Sequence, residues 1–241
     1  MRRTILVVAF FLGACASTPS IEPVLAKAPP AAESLPPDAP FRDEILRFAE
    51  VDRATPPPPC PVLFVGSSSI RMWRTLAEDM APMPVINRGF GGSTIGQSNL
   101  YFDRIVAPYR PRAIVFYAGE NDIDGGQSPA EAASQFRTFL AKKRATLGRT
   151  PVFYISAKPS KLRFSQFARQ TELNNAIRDL AAANSDLTFI DVVPSMLSGG
   201  RPRDIYVEDG LHMNAAGYAI WRGLVRQALT NRHVERLRCR P

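Results

Sequence analysis

Histidine and cysteine are scarce in this chain, two and three residues among 241. No Cys-x-x-Cys or His-x-x-x-His pair occurs, so a zinc site is not expected and no other cofactor is implied. Long apolar runs are also missing. The longest, Ile5 to Leu12, is too short to cross a bilayer as a helix. No internal repeat is visible. The net charge is +8, but the positive residues are scattered, with local concentrations only at Lys142–Arg144 and Arg232–Arg240. Without interleaved aromatics these read as solvated faces, with attraction to anionic lipid or envelope polymer as the weaker alternative. Nucleic acid is not an expected partner, and no obligate protein partner is evident.

An apolar fraction of 45% and a charged fraction of 22% are ordinary for a globular protein. Residues 1–15 have the layout of a secretory signal: Arg2 and Arg3, the apolar run, then Gly13 and Ala14. Leu12-Gly13-Ala14-Cys15 resembles a bacterial lipobox, in which the Cys15 thiol receives a diacylglycerol and becomes the new N-terminus. A plain cleavable signal with an incidental cysteine is the alternative. Several acyl chains on one residue anchor firmly, so the mature protein is expected to be tethered to a membrane but not inserted in it. Ala16 after Cys15 suggests, by the same resemblance, the outer membrane of a Gram-negative cell. The expected location is therefore the cell envelope, facing the periplasm.

Twelve of the 22 prolines fall between Ser17 and Pro61. Residues 16–40 read as a semi-rigid Pro/Ala-rich linker, and residues 41–241 as one domain. Phe41, Ile45, Phe48 and Ala49 form a helical stripe that predicts a helix over Phe41–Arg53, ended by Pro56–Pro59. Beyond Pro61, strand candidates are Val62–Val65, Val85–Ile86, Ala113–Tyr117, Val152–Ile155 and Leu187–Val192. Between and after them run amphipathic segments marked by Ala133, Phe136, Leu140 and Leu147; by Phe167, Ile177, Leu180 and Ala181; and by Ile220, Leu224, Val225 and Leu229. This alternation predicts an α/β fold: a three-layer α/β/α sandwich around a five-stranded parallel sheet of flavodoxin-like order. Its site is expected at the carboxyl ends of the strands.

Four polar, Gly-rich clusters should meet at that edge. They are Gly66-Ser67-Ser68-Ser69, Asn87 to Ser93, Gly119-Glu120-Asn121-Asp122 and Asp209-Gly210-Leu211-His212. A serine hydroxyl needs an adjacent base to act as a nucleophile, and only His212 and His233 carry an imidazole. His233 sits in an Arg-rich tail and is the poorer candidate. Asp209, three residues before His212, is close enough in a turn to accept a hydrogen bond from one ring nitrogen. The backbone N–H groups of Ser68 and Gly92 and the Asn121 amide are candidate donors to an oxyanion.

In order and content the four clusters resemble the blocks of the SGNH/GDSL hydrolase family, over residues 62–221. The Asp209-Gly-Leu-His212-Met-Asn-Ala-Ala-Gly-Tyr218 segment is the most specific match. The resemblance implies Ser68 as nucleophile, Gly92 and Asn121 in the oxyanion hole, and Asp209 with His212 completing the catalytic set. One departure is plain: the family's Gly-Asp-Ser reads Gly66-Ser67-Ser68, so a turn-organising Asp is replaced by Ser67. Ser69 is expected to cap a helix starting at Ile70. The Gly-x-Ser-x-Gly signature of α/β-hydrolases is absent. The implied activity is hydrolysis of lipid acyl esters (lysophospholipase-like) or of carbohydrate O-acetyl groups through an acyl-enzyme. Acyl transfer to a sugar hydroxyl by the same site, or non-catalytic glycan binding on a retained scaffold, are the alternatives. Phe90, Ile95, Lys158 and Arg163 are candidate pocket-lining residues.

With Cys15 assigned to lipidation, Cys60 and Cys239 remain, and an oxidising periplasm permits them to pair. Cys60 precedes the first strand and so lies at the edge opposite the site. The last helix starts near His212 and runs back toward that edge, which predicts a Cys60–Cys239 disulfide.

Overall fold

The computed structural model describes residues 35–239. The expected signal segment, Cys15 and residues 16–34 of the expected linker lie outside the described residues. Five parallel strands form the central sheet: β1 (Val62–Gly66), β2 (Val85–Gly89), β3 (Ala113–Tyr117), β4 (Val152–Ile155) and β5 (Leu187–Ile190), in the order β2-β1-β3-β4-β5. This is the flavodoxin-like order, with the chain reversing its direction of travel across the sheet between β1 and β3.

The strand sequences are almost unbroken apolar runs because both sheet faces are covered. Alternate residues nonetheless go to different cores. Leu63, Val65, Ile114, Phe116, Val152 and Tyr154 point to one face. There they meet α1 (Arg42–Ala54), α4 (Ile95–Leu100), α5 (Phe102–Ile105), α7 (Pro129–Leu147) and α8 (Phe167–Ala182). Val62, Phe64, Val115, Tyr117, Phe153 and Ile155 point to the other. That face is closed by α2 (Ser68–Arg71), α3 (Leu76–Met80), α9 (Val193–Met196) and α10 (Ala215–Asn231). The helix between the two layers in sequence, α6 (Glu120–Asp124), sits at the carboxyl edge after β3.

Local sequence explains the long helices. Ser128 and Glu131 form a reciprocal capping box with Pro129 in the first turn of α7. The Asn214 side chain accepts from the Ala216 and Gly217 N–H groups and starts α10. Tyr218, Trp221, Val225 and Leu229 form its buried stripe, whereas Ile220 and Leu224 of the expected stripe are only partly buried. A short β-hairpin, β6 (Leu197–Ser198) with β7 (Arg201–Pro202), lies between α9 and α10.

Three boundaries differ from the sequence reading. β2 runs on to Gly89 because Asn87, Arg88 and Gly89 continue the ladder against Phe64, Val65 and Gly66. β5 stops at Ile190, where Asp191 turns the chain by accepting from the Val193 N–H, 3.1 Å. Residues 35–40, assigned to the linker, already belong to the domain. Leu35 packs on the core, and the Pro40 carbonyl accepts a 2.5 Å hydrogen bond from the Tyr101 hydroxyl. Among the described residues no helix is long and apolar enough to cross a membrane.

Cys60 and Cys239 are joined by a disulfide, with Cα atoms 5.5 Å apart and a sequence separation of 179. Such a bridge restrains a long loop of the unfolded chain. Cys239→Ser is therefore expected to lower the unfolding free energy by about 2–4 kcal/mol. Urea unfolding of parent and variant, each with and without reductant, measures it; equal midpoints in all four would show that the bridge contributes nothing.

Candidate active site

The site is assembled where β1, β2 and β3 end side by side, Gly66 standing level with Gly89 and with Tyr117. Gly66 has φ +142°, and a Cβ there would fall 1.8 Å from the Tyr117 carbonyl oxygen, so only glycine lets the chain leave β1 here. Ser67 N–H donates to that same carbonyl, 2.9 Å, and the Ser67 carbonyl then accepts from Ile70 and Arg71. The helix consequently begins at Ser68, two residues earlier than expected. Ser69 lies inside α2, and Ser67 occupies the cap position without a side-chain capping bond.

The second loop folds back under the first. Phe90 N–H and the Ser93 hydroxyl both donate to the Gly66 carbonyl, 3.0 and 3.2 Å. Helix α1 supports it from outside, a contribution with no signal in the sequence. The Glu44 carboxylate accepts from Gly91 N–H at 3.0–3.1 Å and pairs with Arg71 at 3.3 Å, while the Phe41 ring stands edge-on to Phe90. The third loop is tied to the second by Asp122, whose two oxygens accept from Ile95 N–H at 3.0 and 3.2 Å.

The fourth cluster is a tight turn. Gly210 takes φ +65° and its N–H donates to the Val207 carbonyl, 3.0 Å; the Val207 N–H in turn donates to the His212 carbonyl, 2.9 Å. The turn is pinned to the chain after β4 by Leu162 N–H on the Gly210 carbonyl, 3.0 Å. Within it, one Asp209 oxygen accepts from the Leu211 and His212 N–H groups, both 2.8 Å. The other lies 2.6 Å from His212 Nδ1, and His212 Nε2 lies 2.8 Å from Ser68 Oγ. Desolvation pushes the Asp209 carboxyl up, but the His212 ring and the two backbone N–H groups outweigh it and hold the pKa at about 2. With Nδ1–H donating to this carboxylate, the Nε2 lone pair faces the Ser68 hydroxyl.

Gly92 and Asn121 stand together across from this chain: a Cβ on Gly92 would be 3.9 Å from Asn121 Nδ2. The Asn121 amide is held at both ends. Nδ2 donates to the Ser93 carbonyl at 3.0 Å, and Oδ1 accepts from Arg163 Nη1 at 2.8 Å. That orientation leaves the second Nδ2 hydrogen for a ligand. Among the described residues no acceptor is bonded to the N–H groups of Ser68 or Gly92. A hydroxyl with an adjacent oriented base, beside three unspent donors, is suited to attack a carbonyl and hold the resulting oxyanion.

A model of the GDSL-like Lipase/Acylhydrolase family matches residues 64–220. The chain belongs to this family. As a GDSL-like acylhydrolase it is a hydrolase of ester bonds. Its fold is shared by a GDSL-like lipase from Bacteroides thetaiotaomicron, with 25% identity, 78% of this chain and 98% of that one covered, and a TM-score of 0.67. An acylhydrolase candidate from Bacteroides fragilis also has 25% identity, with 78% and 96% covered and a TM-score of 0.68. A carbohydrate esterase family 3 protein from Talaromyces cellulolyticus shares 17% identity, with 74% and 99% covered and a TM-score of 0.60. No curated protein matches the chain.

Of the four candidate pocket residues in this GDSL-like protein, three lie beneath the site instead of lining it. Phe90 is fully buried between Phe41 and Tyr101, because its N–H is drawn back to the Gly66 carbonyl. The Ile95 side chain is in the core. Lys158 is buried because its ammonium is matched by Glu120, 2.5 Å away. Burial raises the Glu120 carboxyl, yet the Lys158 charge, with hydrogen bonds from Lys158, Ser160 and Tyr117, brings it below the ordinary range. Arg163 alone reaches the rim, bonded to Asn121 and paired with Asp124 at 2.8 Å.

Asp122 is the opposite electrostatic case. It is fully buried, among the described residues no cation pairs with it, and desolvation lifts its pKa to about 6 against the backbone donors Ile95, Asp122 and Gly119. A carboxyl raised in the folded state binds protons more readily there than when unfolded. Its contribution to stability is therefore present in acid and is lost as pH rises through about 6. Asp122→Asn removes that dependence. Relative to the parent, the variant is expected to gain about 2–3 kcal/mol of unfolding free energy between pH 4 and pH 8. Denaturation series at both pH values test this, and a constant difference would show that Asp122 titrates as an ordinary carboxyl.

Proposed function

We propose that this protein cleaves carboxylic esters through an acyl-enzyme on Ser68. The observation that carries the reading is the continuous Asp209–His212–Ser68 hydrogen-bond chain, 2.6 and 2.8 Å. In the first half-reaction Ser68 Oγ bonds to the ester carbonyl carbon as its proton passes to His212 Nε2. The oxyanion is held by the N–H groups of Ser68 and Gly92 and by Asn121 Nδ2. Collapse breaks the carbon–alkoxide bond, and His212 returns the proton to the departing alcohol. Water then attacks the acyl group, gives a proton to His212, and the carboxylic acid leaves as Ser68 Oγ is reprotonated. Asp209 stays ionised throughout and stabilises the imidazolium.

The substrate class we propose is a lipid acyl ester or a carbohydrate O-acetyl group, the latter in keeping with the carbohydrate esterase that shares the fold. Rates on p-nitrophenyl acetate, butyrate and octanoate separate the two: preference for acetate supports a deacetylase, and preference for octanoate a lipid hydrolase. Folded protein that turns over none of the three would sink the reading. We also propose an envelope location, with Cys15 lipidated and the domain facing the periplasm. The support is the sequence of residues 1–16. Loss of the protein from the membrane fraction in Cys15→Ser is the expected result, and unchanged membrane retention would exclude the anchor.

A further inference from the structure

The two basic runs of the sequence, distant along the chain, meet at the end of the sheet opposite Ser68. Arg110 and Arg112 precede β3, Arg144 lies in the last turn of α7, Arg149 precedes β4, and Arg238 sits in the C-terminal tail. All five line one cavity of about 540 Å³. Its walls come from separate segments, and Pro111, Leu147, Pro151 and Leu237 line it beside the arginines. The Cys60–Cys239 disulfide fixes the tail that carries Arg238 as one of these walls. A second cavity, about 350 Å³, shares Arg149, Pro151 and Leu237 and adds Arg232.

Charge is not balanced here. The nearby carboxylate, Asp186, is already matched twice, by Lys143 at 2.7 Å and by Arg144 at 2.6 Å. Among the described residues Arg112 donates only to the carbonyls of Cys60 and Glu235, 2.7 and 3.2 Å. Arg149 reaches the Ser185 hydroxyl, at 3.4 Å. Among the described residues no carboxylate pairs with Arg110, Arg112, Arg149 or Arg238. The carboxyl end of α7 attracts a cation, and Arg144 meets that need. The remaining guanidinium groups repel one another across a concave wall that concentrates their field. An anion in the cavity would relieve that repulsion. Planar forked donors around one concave pocket suit the tetrahedral oxygens of a phosphate group.

We propose that this arginine-lined cavity binds a phosphate-bearing anion, separately from the catalytic site. The chemistry is common to a free phosphate compound and to a phospholipid headgroup. The strands are parallel, so the cavity lies at their amino ends and Ser68 at their carboxyl ends. Occupancy of one leaves the other open.

The test is isothermal titration of the purified protein with pyrophosphate at fixed 0.15 M salt, with sedimentation of phosphatidylglycerol and phosphatidylcholine vesicles alongside. Arg110→Gln/Arg238→Gln removes two charges whose side chains, among the described residues, make no hydrogen bond or ion pair with the fold. Arg47→Gln/Arg137→Gln removes two exposed arginines elsewhere as a charge-matched control. Expected is pyrophosphate binding weakened about tenfold or more in the first variant and little in the second, with ester turnover unchanged in both. Binding of phosphatidylglycerol vesicles lost in the first variant identifies a headgroup; binding of pyrophosphate without vesicles identifies a free phosphate compound. No binding of either, or equal weakening in both variants, overturns the proposal.

Discussion

Alanine in place of Ser68 is expected to lower kcat by about 10⁴- to 10⁶-fold on any ester the protein hydrolyses, and His212→Ala by a similar factor. The two residues act as one unit. Without His212 the hydroxyl has no acceptor for its proton at 2.8 Å, and without Ser68 the base has nothing to activate. The double variant should therefore be scarcely worse than either single one. Neither change should unfold the protein, since Ser68 begins a short helix that is held otherwise by backbone bonds and by the Tyr218 hydroxyl on the Ser69 carbonyl, 3.0 Å. Burst and steady-state kinetics with p-nitrophenyl acetate, beside circular dichroism, make the measurement. A folded Ser68→Ala protein with more than about a tenth of parental kcat would remove Ser68 from the nucleophile's role. Asp209, held at about 2, is ionised across pH 4–9, so no acid limb of the rate profile within that range arises from its titration.

Asn121→Ala carries the next largest effect. Loss of one oxyanion donor costs about 10²- to 10³-fold in kcat, and KM should change much less because the donor serves charge that develops only during reaction. The amide also bridges the Ser93 carbonyl and Arg163, so its removal loosens the join between the second and third loops. On the proposed reading Arg163, which donates to Asn121 Oδ1, is a positioning residue. Arg163→Met should lower kcat by a smaller factor, about tenfold, with the amide left in place but free to turn. The kcat–KM split for both variants decides between these roles. A rise in KM at constant kcat for Asn121→Ala would make Asn121 a ground-state binder.

Much of the site was legible because its chemistry is local. Asp209 and His212 share one turn, and the Gly66 and Asn121 loops each follow an apolar strand whose end is visible in the sequence, whereas the strand before the Gly92 loop runs on through Asn87-Arg88-Gly89. The buried supports were not legible. Lys158 and Arg163 look alike in sequence, as cations a few residues after β4. Glu120 neutralises the first in the core, while Asn121 and Asp124 hold the second at the rim. Glu44, in a helix before the first strand, reaches the Gly91 N–H only because α1 crosses to that edge.

The sequence by itself determined the layered α/β/α fold, since five apolar runs alternating with amphipathic ones can bury their faces only in a parallel sheet with helices on both sides. It also singled out Asp209 and His212 as a pair, because only one imidazole sits in a turn with a carboxylate three residues before it, and folding sets that imidazole beside Ser68. The tertiary structure alone decided which polar residues face solvent and which are matched inside. It also brought Arg110, Arg112, Arg144, Arg149 and Arg238 around one cavity. The physical reason is the same in both cases. Periodicity reports which face of an element is apolar, whereas the neutralisation of a charge depends on partners that only folding brings within a few ångströms.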